Sequence, residues 1–246
     1  MLAAAGLLAV NVSATDEYTP KIFGIEIDAN VIWATLLAGA IVIILGLWMA
    51  RRVTDGVPSK PQVLWELVVG GVSDQVERMI GPEGRAIVPL AVTLFVFILT
   101  MNWLEVFYWT GHETSLLPTP TSNVNIDYAM GFTVFFVTNY VAFTHAGARR
   151  YFGRFIRPIG LGQLNLIEEI VKPISLSLRL FGNVFSGALI FALVSGLFAK
   201  TYVPITIIDA VWFPFDLAIF FLQAFIFALL TIIYYQQALN VASGGH

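Results

Sequence analysis

A lone arginine, Arg179, stands in the middle of a long apolar run, and Ser175, Asn183 and Gly187 recur around it at every fourth position. A guanidinium in hydrocarbon costs at least about 2.5–3.5 kcal/mol on the insertion scale and does not escape by losing its proton. Such a residue needs a partner or a task. On a helix the four positions form one slanting stripe, with Gly182 and Ser186 beside it. Small side chains let a second helix approach closely, and the charge then projects toward whatever packs there. The nearest acids in sequence, Glu168 and Glu169, lie two to three turns away.

Further along, Asp209, Asp216 and Gln223 follow at intervals of seven and therefore share a helix face. If the chain turns back about Lys200–Pro204, Arg179 is level with Gln223. The three polar positions then descend as a ladder from one membrane surface toward the arginine. An ordered series of intramembrane polar groups reads as a water or proton path. On the other side of the arginine, Glu168, Glu169 and Ser175 are candidates to line a second route. The two acids also suit an ordinary helix start, where the dipole favours them. Asp127 reads as a helix start that also has the option of drawing protons to the outer mouth.

The elements that hold these residues belong in lipid. Of 246 residues, 58% are hydrophobic and 12% charged, and the mean hydropathy is +0.81, whereas soluble domains carry about a quarter charged residues. The absence of cysteine excludes disulfides, thiolate nucleophiles and cysteine-based metal sites. No nucleotide loop, metal-ligand spacing or nucleophile triad occurs, so neither a metal nor a cofactor is expected. A net charge of −3, with the basic residues gathered near span ends, argues against a nucleic-acid partner.

A spanning helix needs roughly 20 apolar residues, and five runs qualify: 29–50, 86–109, 128–148, 165–199 and 204–239. The last two exceed a perpendicular crossing and are expected to tilt strongly as a hairpin. Residues 62–80 alternate apolar positions with Glu66, Asp74, Glu77 and Arg78 at helical spacing, the pattern of an amphipathic helix lying at the interface. Residues 1–28 read as an external tail without the basic start of a signal peptide. Arg51 and Arg52 close the first run, and Arg149, Arg150, Arg154 and Arg157 close the third, while the loop from Gly111 to Asp127 has no Lys or Arg. Positive charges favour the cytoplasmic side, which puts the N-terminus outside and the C-terminus in the cytoplasm. The expected architecture is all-α: a polytopic membrane protein of one domain, with about five transmembrane helices and one interfacial helix. These residues alone leave open a component of a larger proton-moving assembly and a self-contained ion channel or secondary transporter.

The run Ser175-Leu-Ser-Leu-Arg-Leu-Phe-Gly-Asn183, followed by Leu222-Gln-Ala-Phe-Ile-Phe227, resembles the signature of the ATP synthase subunit a family. That family supplies the membrane stator facing a rotating c-ring, and the resemblance covers essentially the whole chain. It implies that Arg179 is the indispensable arginine between two offset half-channels, with Ser175 and Asn183 as its helical neighbours and Gln223 facing it. Lys172-Pro173, preceded by Glu168, is also similar to the family pattern. The implied partners are the c-ring, b-type peripheral stalk subunits and lipid of the cell inner membrane. The implied role is proton translocation without a catalytic site in this subunit. Two positions depart: many bacterial members carry Glu where this chain has Ala188, and His where it has Asp216. The outer half-channel's titratable work is then expected to fall largely on Asp216, helped by Asp209.

Overall fold

The computed structural model describes residues 21–22, 25–26, 29–54, 56–109, 123–147, 151, 161–198 and 205–243. Most of the expected tail and the whole turn at 199–204 lie outside them. Two short antiparallel strands, β1 (Lys21–Ile22) and β2 (Ile25–Glu26), pair Lys21 with Glu26. Everything after them that is regular is helical: α1 (Ala29–Arg52), α2 (Lys60–Met79), a 3₁₀ turn (Pro82–Ile87), α3 (Val88–Trp109), α4 (Val124–Ala146), α5 (Leu161–Phe198) and α6 (Ile205–Ser243). Among the described residues, four helices are long and apolar enough to cross a membrane, namely α1, α3, α4 and α6. The helix bearing Arg179 runs for 38 residues beside them.

The apolar runs become helices because an unpaired peptide group in hydrocarbon costs several kcal/mol, and a helix pairs all but its ends within itself. Those ends have visible stops. Asn123 caps α4, its side chain accepting from the Asn125 N–H at 3.0 Å, so the helix starts four residues ahead of the apolar run expected at 128. Gly81, at a φ of 82°, ends α2 in a backbone conformation that side chains disfavour.

The helices pack side by side in an order unlike their sequence. Against α1 lies α3, against α3 lies α6, against α6 lies α4, and α5 packs on α4 and α6. Among the described residues α3 and α4 share no contact, because α6 separates them. One core joins all five through Ala38, Ile98, Met101, Met130, Val134, Leu176, Leu180, Ala224 and Phe227. A second, smaller core seats α2: Val76 packs with Ile87, Ala91, Ile232 and Tyr235. The Gln236 side chain donates to the Met79 carbonyl at 2.7 Å, tying down the end of α2. Val63, Leu64 and Leu67 on the same helix remain exposed, as expected of a helix at an interface.

Two helices approach closely at Gly131 of α4. A methyl group there would collide with the Ser177 hydroxyl and come within 2.8 Å of the Pro173 carbonyl oxygen on α5. Overpacking of this kind costs about 1–3 kcal/mol. Gly131→Ala should therefore lower the thermal unfolding midpoint of the detergent-solubilised chain. Gly70→Ala, at an α2 position with nothing within 4 Å, should leave it unchanged or raise it.

Candidate functional site

Two faces of α5 divide its work. The inner face carries Pro173, Leu176, Ser177 and Leu180, all buried. The Ser177 hydroxyl donates to the Asp127 backbone carbonyl at 2.9 Å and to the Pro173 carbonyl at 2.8 Å, binding α5 to α4. The outer face carries Ser175, Leu178, Arg179, Gly182, Phe185, Ser186, Leu189, Ile190 and Leu193, all exposed. These positions step by three and four and so share one face; of the stripe read from sequence, Ser175 and Arg179 are on it, and the side chains of Asn183 and Gly187 lie outside the described residues. Arg179 is the only charge on that face, and among the described residues it makes no hydrogen bond or ion pair within the chain. Its field does reach the Tyr234 phenol on α6.

One helical region nearer the start of α5 is fully cross-linked. Glu169 is buried at 9% exposure, accepts from the Asn139 amide of α4 at 3.0 Å and pairs with Lys172 at 3.2 Å. Tyr151 donates to the Asn139 side-chain oxygen at 2.6 Å, and the Lys172 ammonium sits 5.6 Å from the centre of the Tyr234 ring. Glu169 thus bonds to α4 from inside the bundle and joins α5 to it. Charge-assisted bonds of this type are about twice as strong as neutral ones.

On α6, Gln223 is 2% exposed and Asp216 half-buried, while Phe215, Phe221, Leu222 and Phe225 form the exposed face. The two ladder residues therefore point into the bundle. Arg179 lies on the exposed face of α5, and among the described residues no hydrogen bond joins it to Gln223. The side chains of Asn183, Glu168 and Asp209 lie outside the described residues. Ser175 is on the exposed stripe one turn from Arg179.

Two buried polar side chains carried little signal in the sequence. Asn102 of α3 is fully buried, and neither atom of its amide has a partner. The Phe95 and Phe221 rings meet edge to face at 5.6 Å between antiparallel helices. Counting from that contact at about 1.5 Å per residue puts Asn102 near the depth of Asp216. Its only sequence mark is an amide inside an apolar run. Asp127 is the other, fully buried where a helix start was expected. Among the described residues no three His, Cys, Asp or Glu side chains group as a metal site.

These features define a class: a polytopic helical membrane protein that displays a cation, unpaired among the described residues, on an exposed and largely apolar helix face, with carboxyl and amide side chains behind it. Residues 32–236 match the family described as ATP synthase A chain. "ATP synthase subunit a" of Acidothermus cellulolyticus is 40% identical over 98% of this chain and 87% of its own length. The Mycobacterium leprae protein of that name is 38% identical over 92% of both. That of Coxiella burnetii is 34% identical over 83% of this chain and 82% of its own. The chain belongs to the ATP synthase A chain family.

The Glu169 cross-link yields a stability test. Lys172→Met leaves a buried carboxylate with one partner fewer, and a lost hydrogen bond to a charged group costs about 1.5–3 kcal/mol. The thermal midpoint should fall, and Lys172→Arg should restore most of the loss.

Proposed function

We propose that this chain is the proton-translocating stator subunit of a rotary F-type ATP synthase. It gives the c-ring two offset half-channels, and Arg179 keeps them apart. The observation that carries this reading is the placement of Arg179: without a hydrogen bond or ion pair among the described residues, on an exposed apolar face edged by Ser175, Gly182 and Ser186. A cation so placed finds its counter-charge on a neighbouring protein. Membership of the family supports a ring of small subunits as that neighbour, each with a carboxyl at mid-membrane.

The chemistry follows from electrostatics. A rotor carboxylate that gains a proton becomes neutral and can turn into lipid. When it comes round to Arg179 the guanidinium favours its ionised form, because Coulomb attraction grows as the dielectric falls. The proton is thereby released into the route on the other side. The fixed positive charge also repels a proton that would otherwise leak directly between the two routes. Each proton driven inward by 100 mV contributes about 2.3 kcal/mol, so several are needed for each ATP made.

On this reading the outer half-channel runs past Asp209, Asp216 and Gln223, with Asp216 taking the proton that a histidine takes in many bacterial members. The inner one runs from Arg179 past Ser175 and Asn183 toward Glu168 and Glu169. Glu169's bonds to Asn139 and Lys172 make it a wall of that route as much as a station in it. The subunit has no catalytic site of its own. It sits in the cell inner membrane with its N-terminus outside and its C-terminus in the cytoplasm, against the c-ring on the α5 face and b-type stalk subunits elsewhere.

Arg179→Ala in the assembled complex should abolish proton-driven ATP synthesis while the complex is recovered in normal yield. Retained coupled synthesis would overturn the role given to the arginine, and ion flux from the purified chain alone would favour a self-contained channel. Asp216→Asn should slow proton uptake by roughly tenfold or more, given the 10²–10⁴-fold typical of positioned proton-transfer groups. Stopped-flow acidification of proteoliposomes reads that rate, and an unchanged flux removes Asp216 from the path.

A further inference from the structure

The Asp127 carboxyl has no part in the path described above. It lies in the first turn of α4 on that helix's buried face, with Met130, Gly131 and Val134. It is fully buried, and neither carboxyl oxygen has a hydrogen-bond partner. Two ordinary explanations do not fit. The capping position is already filled by Asn123, so Asp127 is not the residue that closes the helix end. Among the described residues Asp127 makes no ion pair either. The charged and titratable side chains described on the two helices packed against α4 are Glu169, Lys172 and Arg179 of α5 and Asp216, Tyr234 and Tyr235 of α6. Glu169 and Lys172 are paired with each other, and Arg179 is on the outer face.

Depth is fixed by the hydrogen bond from Ser177 to the Asp127 carbonyl. Ser177 precedes Arg179 by two residues, or about 3 Å of helix rise. The carboxyl is therefore within about one turn of the arginine's level, on the opposite side of α5. The core that surrounds it through Ile126 and Met130 also includes Ala224, the neighbour of Gln223. A carboxyl buried without partners is expensive in either protonation state, and an intramembrane acid of this kind is a functional candidate by default.

We propose that Asp127 is a proton-exchanging carboxyl of the translocation path, stationed in the seam of α4, α5 and α6 behind Arg179. The inference rests on the stator reading above. The exchange needs no co-reactant. An O–H bond of a donor in the α6 ladder or its water chain breaks as one forms on Asp127, and that bond breaks in turn as the proton passes to the rotor-facing side. The carboxyl returns to its starting state once per proton.

The test uses the whole complex in proteoliposomes. Asp127→Asn keeps the size and hydrogen-bonding capacity of the side chain and removes the exchangeable proton. Passive proton conductance of the membrane sector should fall roughly a hundredfold with normal recovery of the complex. Conductance within about twofold of the unmodified complex overturns the proposal. Should Asp127→Asn lower recovery, Asp127→Glu decides: a displaced pH profile of conductance supports exchange at this carboxyl, and an unmoved profile overturns it. Arg179→Ala run in parallel separates the two claims. If it abolishes coupled synthesis while Asp127→Asn conducts normally, the stator reading stands and the Asp127 proposal falls. If coupled synthesis survives Arg179→Ala, the stator reading fails and the proposal with it.

Discussion

A guanidinium cannot discard its charge, and in hydrocarbon it cannot be left unanswered. Placed at mid-helix on an apolar surface, Arg179 obliges α5 to do two opposed things: hold still from behind and stay open in front. The back of the helix meets the first demand. Ser177 bonds across to α4, Gly131 lets the two backbones approach, and the Glu169 cluster ties α4 to α5 through Asn139 and Lys172. The front meets the second with glycine, serine and aliphatic side chains around the charge. A charge that moved with its helix would blur the distance on which Coulomb energy depends. Rigid attachment behind is thus part of the electrostatics in front.

The position of α6 follows from the same demand. Because it lies between α3 and α4, the buried polar side chains described on it meet neighbouring helices. Its outer face is aromatic and aliphatic, and Gln223 and Thr231 are buried. Thr231 settles its hydroxyl on the Phe227 carbonyl one turn back, at 2.9 Å, a local bond that leaves helix packing intact. Asp216 is half-buried, near the depth of Asn102. A ladder on a helix at the bundle's edge would have exposed these groups to hydrocarbon. The central location gives them protein walls.

Much of this was legible in the residues, for a definite reason. A bilayer requires runs of about 20 apolar residues, so the runs announce the helices, and a charge inside one stands out as Arg179 does. Spacing by four on α5 and by seven on α6 likewise assigned residues to faces, since a helix's period is known before its neighbours are. What periodicity lacks is the identity of the neighbour. Nothing local says that Glu169 will meet Asn139, thirty residues away, or that α6 will insert between α3 and α4. Asp127 shows the limit most clearly. By sequence it is an acid near a helix start, a common and favourable arrangement, and only the packing of α5 over α4 turns that start into an interior.

The unpaired polar groups are not scattered. Asn102, Asp127 and Arg179 belong to α3, α4 and α5, the three helices that contact α6 over its length or cover it, and each lies in or beside the one core common to all five long helices. Many other polar side chains have partners, near or far in sequence: threonines bonded one turn back, Gln62 bonded to Thr54 and Glu66, Gln236 bonded to Met79 from a distant helix. A bundle shaped by stability alone would fill the first three positions with apolar side chains, since burying an unbonded polar group costs more than the hydrogen bond it forgoes. Local rules broken at a few adjoining places, in a protein that obeys them elsewhere, mark where function sets the residues. Asp127 and Arg179 stand on two sides of α5, while Asn102 stands on α3, which α6 separates from α4, so the marks bracket α6 from both flanks.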